Sequence, residues 1–140
     1  MRRRAREAAL QVLFQMDVGK VSLEDALASV AARDWLPGDW ALVETLSQGT
    51  RAHQAEIDLV IARVAERWTI ERMAAVDRNI LRLAIFELRH TATPVRVVIN
   101  EAVELAKRYS TEESGRFVNG LLGTVVRSGD APLVSHAADA

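Results

Sequence analysis

The chain has 140 residues, the length of a single domain, and 49% of them are hydrophobic, which is enough to build a core. Its formal net charge of −1 excludes a uniformly basic surface, so any binding of nucleic acid must depend on a local cluster of cations. The absence of cysteine excludes disulfides and thiolate chemistry and is typical of a cytoplasmic protein, and no apolar stretch is long enough to cross a membrane. We also expect no signal peptide, because no uninterrupted apolar segment follows the N-terminal arginines.

The first predicted helix carries two apolar lines. The expected core face is formed by Ala5, Ala8, Ala9, Val12, Leu13 and Met16. The second line, which we call the surplus line, is formed by Leu10, Phe14 and Val18. It is either covered by a neighbouring helix or exposed to a protein partner.

Four arginines, Arg2, Arg3, Arg4 and Arg6, stand at the start of this helix. The N-terminus of a helix carries partial positive charge, which disfavours cations at this position. We therefore infer that something outside the fold compensates the four charges.

Helix signals continue along the chain. Gly19 ends the first helix, and Ser22 starts the second. Pro37 with Gly38 precedes a third helix, and a break near His53 separates it from a fourth.

The next helix, from about Asp77 to Leu88, is apolar around most of its circumference, which is typical of a buried central helix. Arg78, Arg82 and Arg89 share the remaining strip. We expect this strip to be a solvated edge with one structural ion pair.

Thr93 and Pro94 start the following helix. Its polar residues are expected to point outward; they are Asn100, Glu101, Glu104, Lys107 and Arg108. The spacing of Glu104 and Arg108 favours an ion pair on this face.

Ser110 and Glu113 have the spacing of a capping box, which starts a last helix that extends to about Val126. This helix contains Gly115, Gly120 and Gly123. Glycine is unfavourable inside a helix, so either close helix packing or the close approach of a ligand backbone must explain them.

Phe117 begins the apolar stripe of the last helix, and a phenylalanine there is a core residue by default. The alternative is a platform on which a base of single-stranded RNA stacks, with Arg116 and Asn119 beside it. Both interpretations remain open from the sequence.

Patterns for catalysis and metal binding are weak. Glu87 and His90 have the Glu-x-x-His spacing of di-iron bundles, but such a site needs a second copy, and neither His53 nor His136 follows an acidic residue by three positions. There is no phosphate-binding Gly-rich loop and no G-x-S-x-G nucleophile turn. We therefore expect a binding protein and not an enzyme, with no cofactor and no metal.

These signals predict a compact all-α domain of about seven helices over residues 1–127. Residues 128–140 have no helical period, and we expect them to form a disordered C-terminal tail.

Four blocks of the sequence, RRRAREAALQVLFQ, DRNILRLAIFEL, VVINEAVELAKRYS and FVNGLL, resemble the NusB family of bacterial transcription antitermination proteins in order and spacing. The segment from Asp77 to Leu122 carries the most specific part of the resemblance. The resemblance implies two small helical bundles and binding to boxA, a short single-stranded element in ribosomal RNA precursors. It also implies a heterodimer with the small-subunit ribosomal protein that doubles as NusE, within the RNA polymerase antitermination complex.

The resemblance also implies two surfaces. By position, the RNA surface would include Arg2, Arg3, Arg4, Arg6, Glu113, Arg116, Phe117 and Asn119. The partner surface would include Phe14 and Asp77, with Leu10 and Val18 beside Phe14 on the surplus line. Bound phosphates would then neutralise the arginines, and the two surfaces would lie apart. One departure is that relatives often have a few residues before the arginine run, which here begins at residue 2.

Two other functions stay open at this point. The surplus line is also suited to a homodimer that buries it against a second copy. The chain also resembles the NusB-like domain that precedes some RNA cytosine methyltransferases, in which case it would be a stand-alone binding domain.

Overall fold

The computed structural model describes residues 2–65 and 68–129. Within these ranges the chain forms seven α-helices and no strand, which confirms the predicted all-α class. The helices are α1 (Arg3–Val18), α2 (Leu23–Ala31), α3 (Pro37–Ala52), α4 (Gln54–Val64), α5 (Ala75–His90), α6 (Val95–Tyr109) and α7 (Glu112–Arg127), with a 3-10 turn at Ile70–Arg72. In the described ranges, no helix combines the length and the apolar character needed to cross a membrane.

The centre of the fold is α5. Every residue from 79 to 88 is buried, and the helix contacts α1, α3, α4, α6 and α7. The predicted central helix is therefore confirmed.

The apolar side chains form two clusters, which correspond to two small bundles. The larger cluster surrounds α5 and includes residues of α4, α6 and α7. The smaller lies between α1, α2 and α3 and consists of Ala5, Ala8, Val12, Ala26, Val30 and Val43. Helix α1 contributes to both, with Val12 in the smaller cluster and Leu13 in the larger.

The arginine strip of α5 is not a solvated edge. Arg82 is buried and donates to Asp58 at 2.9 and 3.1 Å, with a further contact to Asp17 at 3.3 Å. Arg78 donates to both oxygens of Asp17. Arg89 donates to a carboxylate of α4, so all three guanidinium groups hold neighbouring helices. The expectation of one ion pair is wrong because α5 has packed neighbours on every side.

Close helix packing occurs at a glycine that the sequence analysis did not single out. A Cβ atom on Gly49 of α3 would overlap the ring of Phe86, so α3 passes directly over this ring. In contrast, a Cβ on Gly120 would meet nothing within 4 Å. On Gly123 it would meet only the end of the Arg127 side chain, at 3.0 Å. Helix packing therefore does not explain the glycines of α7 at these two positions.

Two predicted helix starts shift by a few positions. Helix α5 begins after Ala74, so Asp77 lies in its first turn and is not its N-cap. The N-cap of α7 is Thr111, whose side chain accepts a hydrogen bond from the Ser114 backbone, and not Ser110. The predicted cap at Ser22 is confirmed, because its hydroxyl accepts from the backbone of the first turn of α2.

Most of the predicted tail, residues 130–140, lies outside the described residues. Ser128 and Gly129 form a turn after α7.

Candidate RNA and partner surfaces

Two of the N-terminal arginines contact the start of α3 and the segment before it, and both remain exposed. Arg2 pairs with Asp39 at 3.3 Å and donates to the carbonyl of Gly38. The guanidinium of Arg4 lies 4.1 Å from the ring centre of Trp35. Both cations are therefore ordered by the fold but accessible to an anionic ligand.

The other two arginines form bidentate ion pairs with glutamates on the larger bundle. Arg3 binds Glu101 with two contacts of 3.0 Å, and its own side chain is 40% exposed. Arg6 binds Glu87 with two contacts of 2.8 Å, and both residues are buried.

These pairs correct two expectations. The hypothesis that something outside the fold compensates the arginines is wrong for Arg3 and Arg6, whose charges are paired with glutamates. It stays a prediction for Arg4, whose side chain donates to a backbone carbonyl and to no carboxylate of the described residues. Glu101 does not point outward but is 2% exposed. The hydrogen bond from Arg3 lowers the pKa of Glu101 below its ordinary value, despite an opposing effect of burial, and so keeps the carboxylate charged.

A groove of about 340 Å³ runs from the basic start of α1 to the start of α7. Arg3 lines it together with Lys107 and Arg108 from the end of α6, and Glu104 and Glu112 are also present. Arg108 lies 3.1 Å from a carboxylate oxygen of α1, so the expected Glu104–Arg108 pair is replaced by a contact between helices. The groove therefore joins an N-terminal arginine to the start of α7.

Phe117 is neither fully buried nor fully exposed. The ring is half-buried and packs against the larger cluster. It also lines a groove of about 260 Å³, whose wall includes the exposed Trp68 and Glu113. Arg116 and Asn119 on the same helix are exposed.

Asp77 lies in that same groove and not on a separate face. It is 8% exposed, and one carboxylate oxygen accepts from the Ser114 hydroxyl at 3.1 Å. The other oxygen has no hydrogen-bond partner among the described residues. The structure therefore places a residue predicted for the partner surface next to Phe117 and Glu113, which were predicted for the RNA surface.

The surplus line of α1 divides between core and surface. Leu10 is buried in the larger cluster, Phe14 is half-buried, and Val18 is 51% exposed. Leu10 and Phe14 line a groove of about 290 Å³ whose rim carries Tyr109 and Arg33. Sequence reasoning missed Tyr109, which donates to a carboxylate of α1 at 2.8 Å across the groove.

The structure also gathers three side chains that the sequence analysis did not connect: His53, Glu56 and His90. That analysis sought a carboxylate before each histidine, whereas Glu56 follows His53 by three positions. His90 comes from another helix, and its local pattern pointed to Glu87 and not to Glu56. The Glu87 of the Glu-x-x-His pattern binds Arg6 instead.

The sequence and the order of the helices agree with a known family. The sequence matches the NusB family over residues 3–127. This chain belongs to the NusB family. It is 47% identical over 137 residues to the transcription antitermination protein NusB of Symbiobacterium thermophilum, covering 90% of this chain and 89% of that protein. The resemblance drawn from the sequence blocks is confirmed.

Solved structures support the same assignment. The structure of T. maritima NusB superposes with a TM-score of 0.88 at 36% identity, covering 98% of this chain and 97% of that one. A chain from a crystal structure of the antitermination factors NusB and NusE in complex with double-stranded RNA superposes with a TM-score of 0.83 at 28% identity, covering 91% of this chain and 98% of that one.

Proposed function

We propose that this chain is a transcription antitermination factor that binds boxA-type single-stranded RNA together with the ribosomal protein NusE. The observation that carries this proposal is the family match over residues 3–127. Relatives that are named as antitermination proteins are covered over 89% and 96% of their own length. The role is that of a non-enzymatic binding protein in the cytoplasm, within the RNA polymerase antitermination complex. We propose residues 1–127 as the functional domain.

The proposed RNA surface extends from the start of α1 to α7. Arg2, Arg3 and Arg4 offer accessible guanidinium groups, which suit the phosphates of a single strand. Arg6 is assigned an indirect role, because its buried pair with Glu87 fixes α1 on α5.

At the other end of this surface, Phe117 offers part of a ring to an unpaired base. Arg116, Asn119 and Glu113 surround it with a cation, an amide and a carboxylate that can contact the strand. The groove lined by Arg3 and Lys107 is the proposed path between the two ends.

The proposed partner surface is the groove of about 290 Å³ lined by Leu10 and Phe14, which we call the α1 groove. Phe14 is its accessible aromatic residue, Leu10 forms its floor, and Val18 lies further along the helix. Half-buried aromatic residues in a groove are typical anchors for a protein partner. The position of Asp77 beside Phe117 suggests that a partner that reaches Asp77 would lie next to the bound RNA.

The first experiment measures binding of a labelled single-stranded boxA RNA by fluorescence anisotropy, with and without NusE. We expect NusE to increase the affinity for boxA, and we expect weaker binding to a scrambled strand and to a boxA duplex. Equal affinity for all three RNAs would contradict the proposed function.

A matched pair of variants tests the α1 groove. Phe14→Asp places a charge in the groove, whereas Leu59→Asp places one on α4, where Leu59 is 61% exposed. We expect only the Phe14 variant to weaken the heterodimer, and both to bind RNA alone as the unmodified chain does. If sizing shows a homodimer that Phe14→Asp dissociates and NusE does not displace, the homodimer is the better description of this groove.

A further inference from the structure

Two histidines and a glutamate meet where three helix ends come together. His53 lies at the junction of α3 and α4, Glu56 lies in the first turn of α4, and His90 is the last residue of α5. Nδ1 of His53 lies 2.8 Å from one carboxylate oxygen of Glu56, and Nε2 of His90 lies 3.2 Å from the other. One ligand atom from each side chain lies within 4.8 Å of the other two.

The two imidazoles are held by ring stacking. Their centroids are 3.9 Å apart at an angle of 21°, and the ring of Phe86 stacks at 5.9 Å from His53 and 5.6 Å from His90. Phe86 is itself fixed beneath Gly49. The histidine nitrogens therefore have restricted positions before any ligand arrives, which lowers the entropic cost of binding one.

Glu56 supplies an ionised carboxylate. The Arg89 Nε atom lies 3.0 Å from the carboxylate oxygen that faces His90, so it orients the group from the side opposite His53.

The cluster is open to solvent. The side chains of His53, Glu56 and His90 are 39%, 37% and 28% exposed, so an ion and its remaining water ligands can reach them. Two imidazoles and one carboxylate form a ligand set that suits zinc and neighbouring transition metals, whereas calcium and magnesium prefer oxygen ligands alone.

We propose that His53, Glu56 and His90 form a binding site for one divalent first-row transition metal ion of the zinc type, with water completing the coordination. Tetrahedral bonds of about 2.0–2.1 Å place ligand atoms about 3.3 Å apart, so no pair in the cluster has to close by more than about 1.5 Å. The ion replaces the hydrogen bonds between the imidazoles and the carboxylate. It links the α3–α4 junction to the end of α5, and its role is structural. The proposal does not depend on the proposed RNA function.

The test uses the full untagged chain, titrated with Zn²⁺ by calorimetry and with Co²⁺ by visible absorption. We expect one ion per chain, Co²⁺ bands of a four- or five-coordinate site, and a thermal midpoint that rises with Zn²⁺ concentration. Mg²⁺ should produce none of these changes.

The variants are His53→Ala, His90→Ala and Glu56→Gln, with His136→Ala as the matched control. His136 is the third histidine of the chain and lies outside the described residues. Each of the first three should weaken Zn²⁺ binding by at least about tenfold, since even loss of an outer hydrogen-bond partner costs about 10–100-fold at metal sites. The control should bind as the unmodified chain does.

Circular dichroism verifies that each variant is folded. If a histidine variant fails to fold, Glu56→Gln still tests the site, because this substitution preserves side-chain size. Binding that survives in any of the three folded variants would overturn the proposal. So would the lack of saturable Zn²⁺ binding by the unmodified chain.

Discussion

Arg6 and Glu87 lie 81 positions apart in the sequence, yet they form a bidentate ion pair within the fold. A buried pair of this kind cannot be judged from either residue alone, because each charge is tolerable only while the other is present. The cluster of arginines at the start of α1 therefore consists of residues with different physical roles, although the sequence presents them as equivalent.

The Arg6 pair predicts a large loss of stability on truncation. Arg6→Ala leaves the carboxylate of Glu87 buried without its cation, and we expect the free energy of unfolding to fall by about 3–5 kcal/mol. Arg4→Ala removes an exposed cation from the same helix and should cost less than about 1 kcal/mol. Urea denaturation of both variants measures the difference, and equal losses would show that the Arg6 pair is not a structural anchor.

The Arg3–Glu101 pair predicts a pH dependence. The pKa of Glu101 is lower in the folded chain than the ordinary value of 4.5, so the unfolded state takes up its proton first as the pH falls. The stabilisation is therefore fully present above that ordinary value and is lost as the pH falls through the folded pKa. Arg3→Gln should destabilise the chain at neutral pH, and its urea midpoint should approach that of the unmodified chain in acid.

The control for this pH series is Arg2→Gln, since Arg2 pairs with Asp39 at the exposed surface. Exposed pairs contribute little, so its difference from the unmodified chain should stay small throughout. A difference for Arg3→Gln that is constant from neutral to acid pH would contradict the assignment.

Helix α5 illustrates what could be predicted at the level of elements. Its apolar circumference is a local property of the sequence, so its burial followed from periodicity alone. The ion pairs of Arg78 and Arg82 depend on Asp17 and Asp58, which approach only after other helices have packed. The same limit applies to the metal-binding cluster, whose third member lies on a helix distant in sequence from the other two.

The crossing of α3 over α5 predicts opposite effects at two glycines. Gly49→Ala forces a methyl group into the ring of Phe86, and overpacking of this kind costs about 1–3 kcal/mol. Gly120→Ala adds a methyl group to open space in α7, and helix propensity should stabilise the chain by up to about 1 kcal/mol. Thermal unfolding measures both changes, and destabilisation by Gly120→Ala would show that α7 needs this glycine for another reason.

For the whole molecule, the proposed RNA surface predicts a change in salt dependence. Of the four N-terminal arginines, Arg2 and Arg4 can be removed without leaving a buried carboxylate unpaired. The double variant to alanine should weaken binding of boxA RNA, and the slope of log affinity against log salt should decrease in magnitude by up to about 1.4, at 0.7 for each phosphate contact.

A matched control for this double variant is Arg51→Ala. Arg51 lies near the far end of α3, roughly 20 Å along the helix from Gly38, which Arg2 contacts, at 1.5 Å per residue. Its removal should leave the slope unchanged. Identical slopes for the double variant and the unmodified chain would place the phosphate contacts elsewhere on the molecule.

Helix α1 belongs to both apolar clusters, and this arrangement ties the two bundles into a single cooperative unit. Removal of α1 from the smaller bundle deprives it of Val12, and the same event exposes Leu13 in the larger one. Trp35 and Trp40 pack against the smaller cluster. In a Trp68→Phe variant they are the remaining tryptophans and report on that cluster by fluorescence, whereas far-ultraviolet circular dichroism averages over all helices. The two signals should trace one coincident unfolding transition, with neither bundle persisting after the other has melted.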